Sequence, residues 1–189
     1  MSLQCVLSAF ARILHERTRA HDATVTLKVV DDPPDRPEWL RETIRVVLDA
    51  TATEREKLLA WVADAPEVEL GSGNDDEWGL GQVATHLLIV ERGGAVIALR
   101  LAQAADPGPT GQPRPAASAV TRAGILSLAE KVAATSARLA AEFPAEPDLR
   151  PVARHPFYGD LNCFGWLLML PNHYKAHLAA LAAGRPSAL

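Results

Sequence analysis

The sequence predicts an all-α protein organised as a four-helix bundle. Four stretches carry apolar residues at the 3.6-residue spacing of a helix, and connections rich in proline and glycine separate them. The strand candidates, 25–30 and 68–70, are too short for a substantial sheet. Helix bundles build metal sites from side chains on facing helices, so the histidines of these stretches are the first candidates for function.

Composition and charge argue against several classes of function, among them nucleic-acid binding and membrane insertion. The chain has 189 residues, 48% of them hydrophobic, and a net charge of -4. Lys and Arg are scattered among Asp and Glu without a basic stripe, which argues against nucleic acid as a partner. No apolar run approaches the ~20 residues that span a bilayer, and no secretory leader is recognisable. Cys5 and Cys163 form no CxxC pair. We therefore expect a cytoplasmic protein without disulfides or membrane contact.

Two regions are expected along the chain. Residues 1–35 form an N-terminal appendage, in which an amphipathic helix of about twenty residues precedes the strand candidate 25–30. The run Asp31-Asp32-Pro33-Pro34-Asp35 breaks regular structure and marks the boundary. Residues 36–184 form the helix-bundle domain.

Local signals place the four helices at about 37–63, 79–101, 120–143 and 162–183. Gly79 with Gln82 three positions on resembles a capping box, and Asn162 is a good N-cap for the last helix. The segments 64–77, 106–116 and 144–156 are predicted as loops. Pro171 lies inside the last helix and is expected to kink it just before His173.

Three histidines form the candidate metal site. His173 and His177 are four residues apart, so a helix places both rings on one face, about 6 Å apart along its axis. That face continues an apolar stripe and points towards the core. His86 lies on the inward stripe of the second helix, which would give three ligands and open coordination positions. The alternative is a buried cluster of neutral, hydrogen-bonded histidines.

Two segments resemble a known family. The segment EWGLGQVATHLLIVERG, which contains His86, and the segment HPFYGDLNCFGWLLMLPNHYKAHLAAL, which contains His173 and His177, are similar to signatures of the DinB-like (damage-inducible) four-helix superfamily. The resemblance covers about 36–184. The sequence departs from the pattern at Gly79, where Ser or Thr is commoner, at Gly165, where an acidic residue is common, and at Pro171.

The resemblance implies helices that run up, down, down and up, a homodimer, and a divalent metal on His86, His173 and His177. Zinc or nickel would be the usual ion, and imidazole also suits iron. Better-understood relatives are mycothiol-dependent isomerases and low-molecular-weight-thiol S-transferases, which use a thiol as co-substrate. Three neutral ligands leave the ion its full charge, so it should acidify a thiol or water and support thiol transfer or hydrolysis of a small-molecule substrate.

No catalytic acid or base can be assigned from the sequence. Glu91 is about 140° round the helix from His86 and is expected to point away from the ion. His155 is better explained as a turn residue than as a fourth ligand, and Cys163 as a small buried residue. Structural roles are also favoured for four other polar candidates: Arg138, Tyr158, Asp160 and Asn172. A non-catalytic helical protein that dimerises or binds a partner, with a structural metal or a buried histidine cluster, is the alternative function.

Overall fold

The computed structural model describes residues 35–184, and the predicted helix bundle is confirmed there. Its four long helices are α1 (Glu38–Asp64), α2 (Leu80–Ala102), α3 (Arg122–Glu142) and α4 (Cys163–Ala182). One helical turn, Glu67–Leu70, and a 3₁₀ turn, Ala117–Ala119, lie in the connections. Strands β1 (Ala153–His155) and β2 (Gly159–Leu161) form a short antiparallel hairpin before α4.

The directions of the helices follow from which ends share a core. One apolar cluster joins the start of α1 to the ends of α2 and α3 and to the start of α4; its larger members are Leu40, Ile44, Leu101, Leu139, Phe143, Trp166 and Leu170. A second cluster joins the end of α1 to the starts of α2 and α3 and to the end of α4; its larger members are Leu58, Val62, Leu87, Leu88, Ile125, Val132 and Tyr174. Therefore α1 and α4 run opposite to α2 and α3, in the order up, down, down, up.

Two arginines tie the ends of α1 and α3 together. The guanidinium of Arg36, just before α1, donates to the carbonyl groups of Ala140 (2.7 Å) and Phe143 at the end of α3. Arg122, the first residue of α3, donates to the carbonyl groups of Val62 (2.6 Å) and Ala63 (2.8 Å) at the end of α1. Each cation therefore binds carbonyl groups that a helix C-terminus leaves unpaired, where the helix dipole favours positive charge.

The predicted helix starts are confirmed, and the structure explains the glycine cap of α2. The Gly79 N–H donates to the Gln82 side chain at 3.2 Å, and Asn162 Oδ1 accepts from the Gly165 N–H at 3.0 Å. A Cβ atom at position 79 would lie 2.3 Å from the Ser72 carbonyl oxygen. Ser or Thr is therefore excluded there by the close approach of the preceding loop. Helix α4 continues through Pro171, which is buried.

The strand predictions need correction. Val68–Leu70 belongs to the helical turn Glu67–Leu70, whose Leu70 is fully buried. The hairpin was not predicted, because its six residues lack the alternating pattern that identifies a strand. The candidate strand 25–30 and the rest of the appendage 1–35 lie outside the described residues except for Asp35.

One helix of residues 35–184 is long and apolar enough to cross a membrane by length and composition alone. This helix is α2, and 67% of its most apolar window is buried inside the bundle. Contact with the other helices therefore accounts for its apolar character, as expected for the central helix of a core.

Two glycines of α2 should respond oppositely to alanine. A Cβ atom at Gly81 would lie 2.1 Å from the Leu70 carbonyl oxygen, whereas one at Gly93 would have nothing within 4 Å. We expect Gly93→Ala to raise the free energy of unfolding by about 1 kcal/mol through helix propensity, and Gly81→Ala to lower it by about 1–3 kcal/mol through overpacking. Urea denaturation measures both. Equal changes in the two variants would contradict the packing described here.

Candidate metal centre

The three predicted ligands meet between α2 and α4. The ring of His86 is 5.2 Å, centroid to centroid, from the rings of both His173 and His177, and those two are 4.7 Å apart. The Nε2 atom of His173 lies 3.3 Å from His86 Nε2 and 2.9 Å from His177 Nε2. One ligand atom from each residue lies within 4.8 Å of the others. Residues 87 positions apart in sequence thus form one group of nitrogens.

Close packing of α2 on α4 brings these rings together. A Cβ atom at Gly94 would lie 2.9 Å from Leu170 Cδ2 and 3.3 Å from Met169 Cε, so only glycine permits this approach without movement of the facing side chains. Gly94 is two turns beyond His86 on α2, and Leu170 precedes His173 by one turn on α4. The antiparallel contact therefore sets the separation of the histidine-bearing turns.

A backbone carbonyl fixes the tautomer of His86. Its Nδ1 atom is 2.8 Å from the Pro113 carbonyl oxygen, which can only accept, so Nδ1 carries the proton. The Nε2 lone pair is then directed at the other two histidines. The edge-to-face contact with Trp78, with centroids 5.0 Å apart, holds the ring from another side. An imidazole oriented through its second nitrogen is the usual arrangement of a metal ligand.

The cluster is neutral at physiological pH. Burial lowers the pKa of His173 to about 3, and the neighbouring imidazoles lower it in the same direction. Burial likewise lowers the pKa of His177 to about 4 and, against a hydrogen bond to Pro113, lowers that of His86. Neutral imidazole is the form that donates a lone pair to a metal.

Two of the three nitrogen separations match those around a divalent ion. Metal–nitrogen bonds of about 2.0–2.1 Å at ligand angles between 90° and 109° require nitrogen separations of about 2.9–3.4 Å. The separations of His173 Nε2 from His86 Nε2 (3.3 Å) and from His177 Nε2 (2.9 Å) fall in that range. A hydrogen-bonded cluster fits less well. Because the proton of His86 is on Nδ1, a neutral His173 Nε2 either shares one proton between both contacts or faces the His86 lone pair without a proton.

A pocket of about 420 Å³ opens beside His86 and His173. Its described walls are one side of α2, the proline-rich segment 109–113, the hairpin region 155–157, and Trp166 and His173 of α4. The loop 106–116, predicted only as a surface connection, therefore forms one wall of the site and supplies the Pro113 carbonyl. The described residues that line this pocket include no Asp, Glu, Lys or Arg. The histidines therefore face a mostly apolar space.

His155 has the predicted turn role. Its Nδ1 atom accepts from the backbone N–H groups of Phe157 (3.2 Å) and Tyr158 (3.3 Å), and its ring packs against Trp166 with centroids 5.2 Å apart. It lines the pocket but does not belong to the group of three histidines that could hold a metal ion. Because Nδ1 is the acceptor, the proton of its neutral ring lies on Nε2.

The other polar candidates are not among the described residues that line the pocket. Tyr158 is 55% exposed. The remaining three bind near neighbours, in the pairs Asp160–Arg154, Arg138–Glu142 and Asn172–Leu168. Cys163 is buried, and burial raises the pKa of its thiol, which agrees with a packing role.

Sequence reasoning missed a buried charged network beside the cluster. Glu91 is 1% exposed; it accepts from the Tyr174 hydroxyl at 2.7 Å and from the Arg55 guanidinium. Burial raises the pKa of Glu91, whereas Arg55 and Tyr174 act to lower it. The partners are 36 and 83 residues away, so no local pattern could have identified them. Because Tyr174 follows His173 on α4, this network holds in position the turn of α4 that carries His173.

Comparison with known proteins supports the fold. No family model and no curated protein sequence matches the chain. A solved structure described as TT2238, a four-helix bundle protein, is similar at 26% sequence identity and a TM-score of 0.55. The similarity covers 74% of this chain and 98% of that one. The described part of this chain is thus an all-α bundle with a solved counterpart.

The histidine cluster should make the metal-free protein sensitive to acid. The unfolded histidines titrate near pH 6.5, whereas burial holds the pKa of His173 at about 3 and that of His177 at about 4. Below about pH 6.5 the unfolded chain takes up protons that the folded chain cannot, so stability is lost as the pH falls towards the folded pKa values.

The test compares urea midpoints of the metal-free wild type and His173→Gln between about pH 8 and pH 5. We expect a smaller loss in the variant, while carboxylate effects remain common to both. An equal loss of the urea midpoint in the wild type and in His173→Gln would contradict the lowered pKa assigned to His173.

The Glu91 network should be costly to break from one side. Arg55→Met leaves a buried carboxylate without its cation, and we expect a loss of about 3 kcal/mol in the free energy of unfolding. The double variant Arg55→Met/Glu91→Gln removes the charge as well and should recover part of that loss. Chemical denaturation measures both, and a double variant no more stable than Arg55→Met would refute the pairing.

Proposed function

We propose that the protein is a DinB-like divalent-metal protein in which His86, His173 and His177 hold the ion, and that it acts as a metal-dependent thiol S-transferase or hydrolase. The convergence of three neutral imidazole nitrogens between two helices carries the proposal. The sequence signatures around the histidines, the four-helix bundle and the neighbouring pocket support it. Zinc and nickel are the proposed ions, with iron also compatible with imidazole ligands.

Residues of the chain orient the three histidines and keep them unprotonated without a bound ion. The Pro113 carbonyl orients His86, and the Glu91–Tyr174 hydrogen bond orients the turn of α4 that carries His173. Burial keeps all three rings unprotonated. A bound divalent ion supplies a Lewis acid that lowers the pKa of a coordinated thiol or water. The apolar walls of the pocket restrict bulk water near that position and favour substrates with apolar surface.

Metal content tests the site directly. We expect about one divalent ion per chain by mass spectrometry of the purified protein. Each of His86→Ala, His173→Ala and His177→Ala should weaken metal affinity by more than about 100-fold, since loss of an outer-shell partner alone costs 10–100-fold. His155→Ala is the matched control, because it removes a buried pocket histidine outside the cluster and should retain the ion. Unchanged metal content in all three ligand variants would refute the site.

A non-catalytic role is the second candidate. The described walls of the pocket supply no carboxylate that could serve as a base, which favours a structural ion within a helical homodimer or partner-binding protein. A screen of the metal-loaded protein with low-molecular-weight thiols, mycothiol included, against electrophiles separates the two roles. Turnover that disappears in His173→Ala supports the enzyme. Full metal loading without turnover favours the structural role, and light scattering then tests for a dimer.

A further inference from the structure

The metal-site pocket continues along α2 into a second pocket. The first has a volume of about 420 Å³ and the second about 280 Å³. Both are lined by Ile89, Gly93, Ile97 and Pro109, so they share walls on the helix and on the proline-rich loop. Gly93 leaves the shared floor open, since a Cβ atom there would have no neighbour within 4 Å. The two pockets together are called the α2 groove below.

The groove follows one stripe of the helix. The stripe consists of residues spaced alternately four and three apart: His86, Val90, Gly93, Ile97 and Arg100. Such spacing keeps side chains on one face of a helix. The stripe begins at the buried metal-site histidine and ends at an exposed arginine. Its polarity therefore changes from neutral and apolar to positively charged along its length.

The charged side chains of the described groove lining all belong to the second pocket. The described lining of the first pocket has no Lys, Arg, Asp or Glu, whereas the second is lined by Arg92 and Arg100. Within residues 35–184 neither guanidinium has an acidic residue in ion-pair contact, although most other arginines of the helices do. In a chain of net charge -4, two arginines without acidic partners beside a pocket favour an anionic ligand group.

The length of the groove sets the size of its ligand. At a rise of 1.5 Å per residue, Arg92 lies about 9 Å and Arg100 about 21 Å along the axis from His86. A single small anion cannot contact both the histidine cluster and these arginines. A molecule of extended length with different chemistry at its two ends can.

We propose that the α2 groove binds an elongated thiol carboxylate, whose sulfur lies at the three histidines, whose uncharged middle crosses Gly93 and whose carboxylate binds Arg92 and Arg100. The contact of the sulfur rests on the proposed metal function, whereas the carboxylate subsite rests on the groove alone. The proposed substrate class is therefore thiols that carry a carboxylate at the end opposite the sulfur.

Calorimetry on the zinc-loaded protein tests the proposal with mercaptoundecanoate, mercaptoundecanol and mercaptopropionate. The long acid should bind at least about tenfold more tightly than the alcohol, which lacks the charge, and than the short acid, which cannot reach the arginines. The double variant Arg92→Gln/Arg100→Gln should abolish the preference for acid over alcohol. Arg138→Gln removes the same charge from a surface outside the groove and should preserve that preference.

Gly93→Leu tests the path between the two ends. A leucine side chain at this position would occupy the shared floor, so affinity for mercaptoundecanoate should fall by about tenfold or more while metal content stays unchanged. Equal affinity for the long acid and the alcohol, or a preference that survives loss of both arginines, would overturn the proposal.

Undecanoate and undecanol, which carry no thiol, separate the groove from the metal. A preference for undecanoate that depends on Arg92 and Arg100 supports the carboxylate subsite even when the metal site is removed by His173→Ala. Equal binding of these two probes, with the metal fully loaded, overturns the subsite and leaves the metal function standing. Absence of bound metal with the undecanoate preference intact refutes the metal function alone.

Discussion

The antiparallel contact of α2 with α4 is the constraint on which the rest of the structure depends. These two helices carry all three histidines of the candidate metal site and contribute to both apolar clusters. At Gly94 and Leu170 the contact leaves no room for a larger side chain at position 94 without movement of the facing side chains. A shift of one helical turn, about 5.4 Å along the axis, would separate His86 from His173 by more than a shared ion permits. The apolar packing of α2 against α4 therefore sets the relative positions of the three histidines.

Helix α2 also concentrates the buried polar groups of the core. Gln82 donates to the carbonyl groups of Asn74 (3.1 Å) and Pro115 (3.0 Å), while His86 donates to that of Pro113. Glu91, further along the helix, binds Arg55 of α1 and Tyr174 of α4. These buried groups thus connect α2 to the loop that precedes it, to the proline-rich loop, to α1 and to α4, because an unpaired polar group in the core would be costly.

Hydrogen bonds to side chains of α2 hold the proline-rich loop in position. Segment 106–116 forms neither helix nor strand, yet two of its carbonyl groups bind side chains of α2 and its prolines line the pocket. Proline limits the freedom of the unfolded loop, so fewer contacts suffice to hold it in position. The same segment therefore fixes the tautomer of His86 and forms one wall of the groove that leads to Arg100.

Local features of the sequence sufficed for much of this fold. The periodicity of apolar residues located the four helices, the residues Gly79 and Asn162 marked two starts, and the inward stripes identified His86 and the pair His173–His177 as candidates for one site. Helix spacing and capping depend on neighbours within about four residues, and such signals can be read without coordinates. Pro171, although unusual inside a helix, did not move His173 out of the cluster.

The sequence by itself thus determined the helices, their buried faces and the three candidate ligands. Only the tertiary structure decided that a proline carbonyl orients His86, that Arg36 and Arg122 bind helix ends, and that Glu91 is paired across the core. It also decided that two arginines line the second pocket of the groove. Backbone carbonyls carry no residue signature, and the partners of these contacts lie 27 to 107 residues apart. Such contacts arise from the packing of distant segments, which no local pattern encodes.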